Sequence, residues 1–161
     1  MTISVGDKLP ETTFRTMTSE GPKELKTSEI FDGKKVVIFA VPGAYTPSCH
    51  NQHLPGFISN VDAIKAKGVD TVACVAVNDM FVMGAWAQET GSSDKILFLS
   101  DGNAEFTKAI GLDFDGSGFG LGTRSKRYVM VVENGQVSAL SVEDAPSSVD
   151  VSSAEALLLA L

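Results

Sequence analysis

A chain of 161 residues, 43% hydrophobic and 20% charged, has the make-up of one globular domain with a sizeable core. Its net charge of −7 works against a nucleic-acid partner, because phosphate recognition calls for clustered Lys and Arg. Two cysteines are too few for a disulfide scaffold, and no apolar run approaches the roughly 20 residues of a membrane span.

The opening stretch, MTISVGDKLPETTF, has no basic region followed by an apolar one. No secretory signal is therefore expected, and the expected compartment is the cytoplasm with its thiols reduced; organellar import after loss of a transit peptide stays open. TSEIFDGKK (27–35) reads as a short capped helix ending at Gly33. KVVIFAVP (35–42) is a continuous β-branched run stopped by proline, the pattern of a strand covered on both faces. Leu54, Phe57, Ile58, Val61 and Ile64 then fall at helical spacing up to Gly68, with Pro55 predicting a distorted first turn. VDTVACVAVND (69–79) is a second buried strand, Met80 to Thr90 a helix, and KILFLSD (95–101) a third strand. Residues 103–112 suggest a short helix with Asn103 as its cap, and DFDGSGFGLGT (113–123) a flexible loop. RYVMVVENGQVSALSVE (127–143) predicts a hairpin turning at Asn134-Gly135, and Ser152 to Ala160 a closing apolar helix. This order predicts an α/β fold: a central mixed sheet, parallel in its first part and antiparallel at the hairpin, flanked by helices.

The chemistry points to VPGAYTPSCHNQHLPGF (41–57). Cys49 lies just beyond a central strand and at the start of the next helix. Sites gather at the carboxyl ends of strands in such sheets, and the free N–H groups of a helix start favour thiolate over thiol. The spacing Cys49-His50-x-x-His53 could suggest zinc, but no fourth ligand is apparent and three helix-start positions diverge in direction. Taken alone, Thr46 reads as a helix cap, Pro42 as a strand terminator, Trp86 as core, and Arg124, Lys126 and Arg127 as solvated charge. GSGFGLG does not fit G-x-G-x-x-G and follows no strand, so it is not read as a dinucleotide loop.

Residues 42–49, PGAYTPSC, resemble the peroxiredoxin signature P-x-x-x-T-x-x-C, and the wider stretch is similar to the type 5 subfamily with its plant type II members. VGDKLP, KGVDTVACVAVNDMFV and TRSKRYVMVVENGQV extend the resemblance along most of the chain. The resemblance implies a thioredoxin-like fold and a thiol peroxidase with no cofactor and no metal. Cys49 would be the peroxidatic cysteine, Thr46 would donate its hydroxyl to sulfur and peroxide, and Pro42 would shield the thiolate. Arg124 would be the active-site arginine, with Arg127 and His53 in support behind it.

The resolving cysteine that type 5 animal enzymes carry near the C-terminus has no counterpart in DVSSAEALLLAL. Cys74 is the only internal candidate, at a separation similar to that of the plant type II enzymes, but mid-strand it reads more simply as a small buried hydrophobe. The expectation is therefore a one-cysteine cycle reduced by glutathione and glutaredoxin; the resemblance also implies a homodimer. The alternatives are a thioredoxin-reduced cycle through Cys74 and a peroxide-sensing relay or binding protein. A thioredoxin-like disulfide exchanger would need C-x-x-C, and Thr46 holds the earlier place. A cysteine hydrolase lacks a recognisable Asn or Asp to orient its histidine.

Overall fold

The computed structural model describes residues 1–161. Three apolar runs form the parallel centre of one seven-stranded sheet: β3 (Lys35–Ala40), β4 (Thr71–Ala76) and β5 (Leu97–Ser100). The predicted hairpin is β8 (Tyr128–Glu133) and β9 (Gln136–Val142), running antiparallel beside β3. Asn134 and Gly135 both take positive φ, 50° and 77°, as a tight hairpin turn of this hand requires. On the far side the sheet carries a hairpin that the sequence pattern does not show, β1 (Thr13–Thr18) and β2 (Gly21–Lys26). The full order is β2-β1-β5-β4-β3-β8-β9.

Strand alternation sorts the core into two layers. Val37, Phe39, Cys74, Val129 and Val131 face α2 (Leu54–Ala66), α3 (Met80–Glu89) and α5 (Ala154–Ala160). Val36, Ile38, Ala73, Val75, Tyr128 and Met130 face α1 (Thr27–Phe31) and α4 (Glu105–Ala109). This is the mixed, helix-flanked sheet of a thioredoxin-like fold.

Two local expectations change. Residues 113–123, expected as flexible, include β6 (Asp113–Asp115), a short 3-10 turn, and the start of β7 (Thr123–Ser125), with β6 and β7 paired antiparallel. Asn103 does not cap α4. The Asp101 carboxylate does so instead, accepting from the N–H groups of Phe106 at 3.1 Å and Thr107 at 2.8 Å, while Ala104 turns through φ 58°.

Pro55 has the effect its position predicts. The first turn, Cys49–His53, is a π-turn in which the Leu54 N–H reaches back five residues to the Cys49 carbonyl. Proline has no N–H to give and its ring crowds the carbonyl four residues earlier; a widened turn relieves both problems. The consequence is positional: Cys49 opens the turn that leads into a thirteen-residue helix.

Candidate active site

The loop from Val41 to Ser48 carries the chain from the end of β3 to Cys49. The Ala44 N–H donates to Asn78 Oδ1 at 2.9 Å, fastening the loop to the chain two residues beyond β4. Tyr45 takes φ 65°, a costly conformation for a side chain of this size, and stacks on His50 with ring centroids 5.7 Å apart. The Thr46 hydroxyl donates to the Gly43 carbonyl at 2.7 Å, and the His50 N–H donates to the Thr46 carbonyl at 2.8 Å.

Cys49 Sγ is completely buried, in the same apolar layer as Phe39, Phe57 and Trp86. One polar side chain meets it: Arg127, whose Nη2 donates to the sulfur at 2.9 Å. Arg127 is itself only 2% exposed. Its Nε and Nη2 donate to the Pro146 carbonyl at 3.0 and 2.9 Å, and its Nη1 donates to His53 Nδ1 at 2.9 Å. His53 Nε2 then donates to the Ser152 carbonyl at 2.8 Å, which fixes the tautomer. Burial, and next the charge of Arg127, hold the His53 imidazole at about 4, below its ordinary 6.5, so the ring is neutral.

A buried guanidinium normally needs an anionic partner. The ion pairs in the molecule are Arg15–Glu24 and Lys35–Glu133, and neither involves Arg127. Of the groups that accept from its guanidinium, two are neutral: a backbone carbonyl and an uncharged imidazole. The third is the Cys49 sulfur.

Arg124 is placed differently from the expectation. Its Nε donates to the Leu121 carbonyl at 2.9 Å and its Nη1 to the Pro42 carbonyl at 3.3 Å, with no bond to Cys49. It does approach the loop closely, since a Cβ on Gly43 would lie 2.9 Å from Arg124 Nη1 and 3.1 Å from Thr46 Cγ2. Arg127, expected behind it, is the arginine that touches sulfur. The signal was available in strand parity: Arg127 shares parity with Val129 and Val131, which face the Cys49 layer, whereas Arg124 lies on a separate short strand.

Cys49, His50 and His53 do not converge on a common point. His50 Nδ1 accepts from Trp86 Nε1 at 2.9 Å, and both nitrogens of His53 are used by Arg127 and Ser152. Trp86 is fully buried core that also orients His50. Cys74 lies mid-strand, buried among Phe39, Phe98 and their neighbours, and burial, followed by the nearby Cys49 sulfur, pushes its thiol up. Both cysteines are free.

Residues 4–158 match the Redoxin family model. The chain is 48% identical to the chloroplastic peroxiredoxin-2E-2 of Oryza sativa subsp. japonica, over 99% of this chain and 73% of that protein. The chain belongs to the peroxiredoxin family. Among solved structures, this peroxiredoxin superposes on reduced Prx3 of Vibrio vulnificus in complex with hydrogen peroxide, with a TM-score of 0.93, 52% identity and 98% of each chain covered. It also superposes on the Plasmodium falciparum antioxidant protein, described as a 1-Cys peroxiredoxin, with a TM-score of 0.90, 28% identity and 96% of each chain covered. Such kinship makes the protein a thiol-dependent peroxidase with a thioredoxin-like fold. No helix in it is long and apolar enough to cross a membrane.

Proposed function

We propose that this peroxiredoxin reduces hydrogen peroxide and organic hydroperoxides at Cys49 and is recycled by glutathione with glutaredoxin. The observation that carries the reading is the buried Arg127 guanidinium, 2.9 Å from Cys49 Sγ and without a carboxylate partner. A guanidinium so placed is a donor already aimed at the sulfur that must attack, and the attacking species is the thiolate. The thiolate pair attacks one peroxide oxygen while the O–O bond breaks. The bonding pair leaves on the other oxygen, which takes a proton and departs as water or an alcohol. Sulfur ends two electrons poorer, as sulfenic acid.

Charge moves from sulfur to oxygen along this path, and preplaced donors stabilise it more at the transition state than before it. Arg127 follows the sulfur. Thr46 turns its hydroxyl from the Gly43 carbonyl to the incoming peroxide, and Arg124, beside Gly43 and bonded to the Pro42 carbonyl, faces the oxygens. Pro42, buried at the end of β3, excludes water. His53 holds Arg127 from behind.

In the reductive half, a glutathione thiolate attacks the sulfenic sulfur, hydroxide leaves and is protonated to water, and a mixed disulfide forms. A second thiol attacks this disulfide on its glutathione side and releases the Cys49 thiolate. A sulfur with no exposed surface is beyond the reach of so bulky a thiol, so reduction requires the π-turn to open. The burial of Cys74 in mid-strand supports the one-cysteine cycle, as does likeness to the 1-Cys relative. The second reading, a thioredoxin-reduced cycle through Cys74, is favoured by one fact: Cys74 and Cys49 share one apolar layer.

We further propose pairing as a homodimer, supported by the exposed aromatic rings of Tyr45, Phe81 and Phe119. We propose the cytoplasm as its place of work, with import into an organelle left open. The deciding assay couples peroxide reduction to glutathione/glutaredoxin, and separately to thioredoxin, for Cys49→Ser and Cys74→Ser. Full turnover of Cys74→Ser with glutathione/glutaredoxin is expected. Its loss, with Cys49→Ser also inactive, would replace the one-cysteine cycle by the thioredoxin reading.

A further inference from the structure

The segment 143–153, EDAPSSVDVSS, runs from the end of β9 across the site to α5. It is a strap with almost no apolar anchorage, because only Glu143 and Ser152 along it are buried. Yet three of its carbonyls hold the site. Pro146 O takes two bonds from Arg127, Ser152 O takes the His53 Nε2 proton, and Ser147 O accepts from the hydroxyl of Ser48, the neighbour of Cys49, at 3.0 Å.

What closes the strap is one carboxylate oxygen. Glu143 Oε1 accepts from the Asp150 N–H at 2.6 Å, the Ser152 N–H at 2.9 Å and the Ser152 hydroxyl at 2.8 Å. The Glu143 N–H donates to the Arg127 carbonyl at 2.9 Å, so the pin and the arginine belong to adjacent, paired backbone. Hydrogen bonds to an ionised acceptor are among the strong ones, and three on one oxygen fix a loop that burial does not.

We propose that Glu143 is a positioning residue for the peroxidase reaction. By pinning the strap, it aligns the Pro146 and Ser152 carbonyls, and through them the Arg127 guanidinium and the His53 ring, so that Nη2 points at the Cys49 sulfur. Glu143 touches neither sulfur nor peroxide. Its effect passes through Arg127. The inference rests on the proposed role of Arg127, and the test keeps the two apart.

The test is single-turnover reduction of hydrogen peroxide at neutral pH, with melting temperatures measured alongside, for Glu143→Ala, Glu143→Gln, Ser152→Ala, Arg127→Met and the Glu143→Ala/Arg127→Met double variant. Glu143→Ala is expected to slow the reaction about tenfold, the scale of losing charge-assisted bonds in part. Glu143→Gln keeps an amide oxygen as acceptor and is expected to restore most of the rate. In the Arg127→Met background, Glu143→Ala is expected to cost nothing further, because coupled residues are non-additive. Ser152→Ala removes one of the three donors and tests the pin even if Glu143→Ala fails to fold; a rate loss of about threefold is expected. A wild-type rate for Glu143→Ala, or for Ser152→Ala if it alone folds, overturns the proposal, as does a full additive loss in the double variant. If Arg127→Met itself reacts at the wild-type rate, the reading of Arg127 fails first, and the strap proposal falls with it.

Discussion

The two cysteines have the same exposure, none, and lie in the same apolar layer, yet their surroundings differ in kind. Cys74 sits mid-strand, its neighbours on the sheet Phe39 and Phe98, with the backbone fixed in two parallel ladders. Burial pushes its thiol up, as it would any small group placed there. Cys49 opens a π-turn at the end of a strained loop and receives a guanidinium at 2.9 Å. Burial alone therefore does not decide reactivity. On the proposed reading, what makes Cys49 rather than Cys74 the nucleophile is the guanidinium buried beside it, held by one imidazole and one carbonyl.

The largest expected effect separates the two thiols outright. Cys49→Ser removes peroxide turnover in a steady-state assay, whereas Cys74→Ser keeps full turnover with glutathione and glutaredoxin. Equal losses would erase the contrast.

The next effect concerns the charge. Arg127→Met is expected to lower kcat/KM for hydrogen peroxide by roughly 100- to 1,000-fold, the scale of removing a preplaced donor from a dry site. Arg124→Met is expected to cost about tenfold, as it lies beside Gly43 and bonds the Pro42 carbonyl without reaching sulfur. If Arg124 proves the more costly of the two, the geometry around Cys49 has been misjudged.

A third effect lies behind the arginine. His53 is held at about 4 in the folded chain against an ordinary 6.5, so the unfolded chain binds the extra proton first. Stability from this group is complete above about pH 6.5 and is lost as pH falls towards 4, by up to about 3 kcal/mol. Urea melts from pH 7 to pH 4.5 should show this slope, reduced in His53→Gln. The smallest effect returns to Cys74: serine there costs about 1–2 kcal/mol of stability for an unpaired buried hydroxyl, with no change in the rate of peroxide attack. Parallel denaturant melts and stopped-flow traces measure both.

Much of the fold is written in its apolar runs. Lys35–Ala40, Thr71–Ala76 and Leu97–Ser100 are covered on both faces and cannot easily be read as anything else. The N-terminal hairpin escapes because GPKELK, its edge strand, is mostly exposed and carries no hydrophobic period. β6 and β7 are three residues each, too short to show one.

At the site, the Cys49 motif and its turn are legible locally because they are contiguous in sequence. The choice between Arg124 and Arg127 depends on which side of a strand each occupies, and parity resolves it only once the strand's start is known. The strap was invisible for a plainer reason. It acts through main-chain carbonyls, which every residue has, and so its sequence carries no chemical signature beyond Glu143 and Ser152.

The most direct test of the account is mass spectrometry of the reduced protein after one equivalent of hydrogen peroxide, with and without glutathione. The account predicts a single added oxygen on the Cys49 peptide, captured by a sulfenic-acid trap, and a glutathione adduct on the same residue when glutathione is present. A disulfide between Cys49 and Cys74, or oxidation that begins at Cys74, would contradict it.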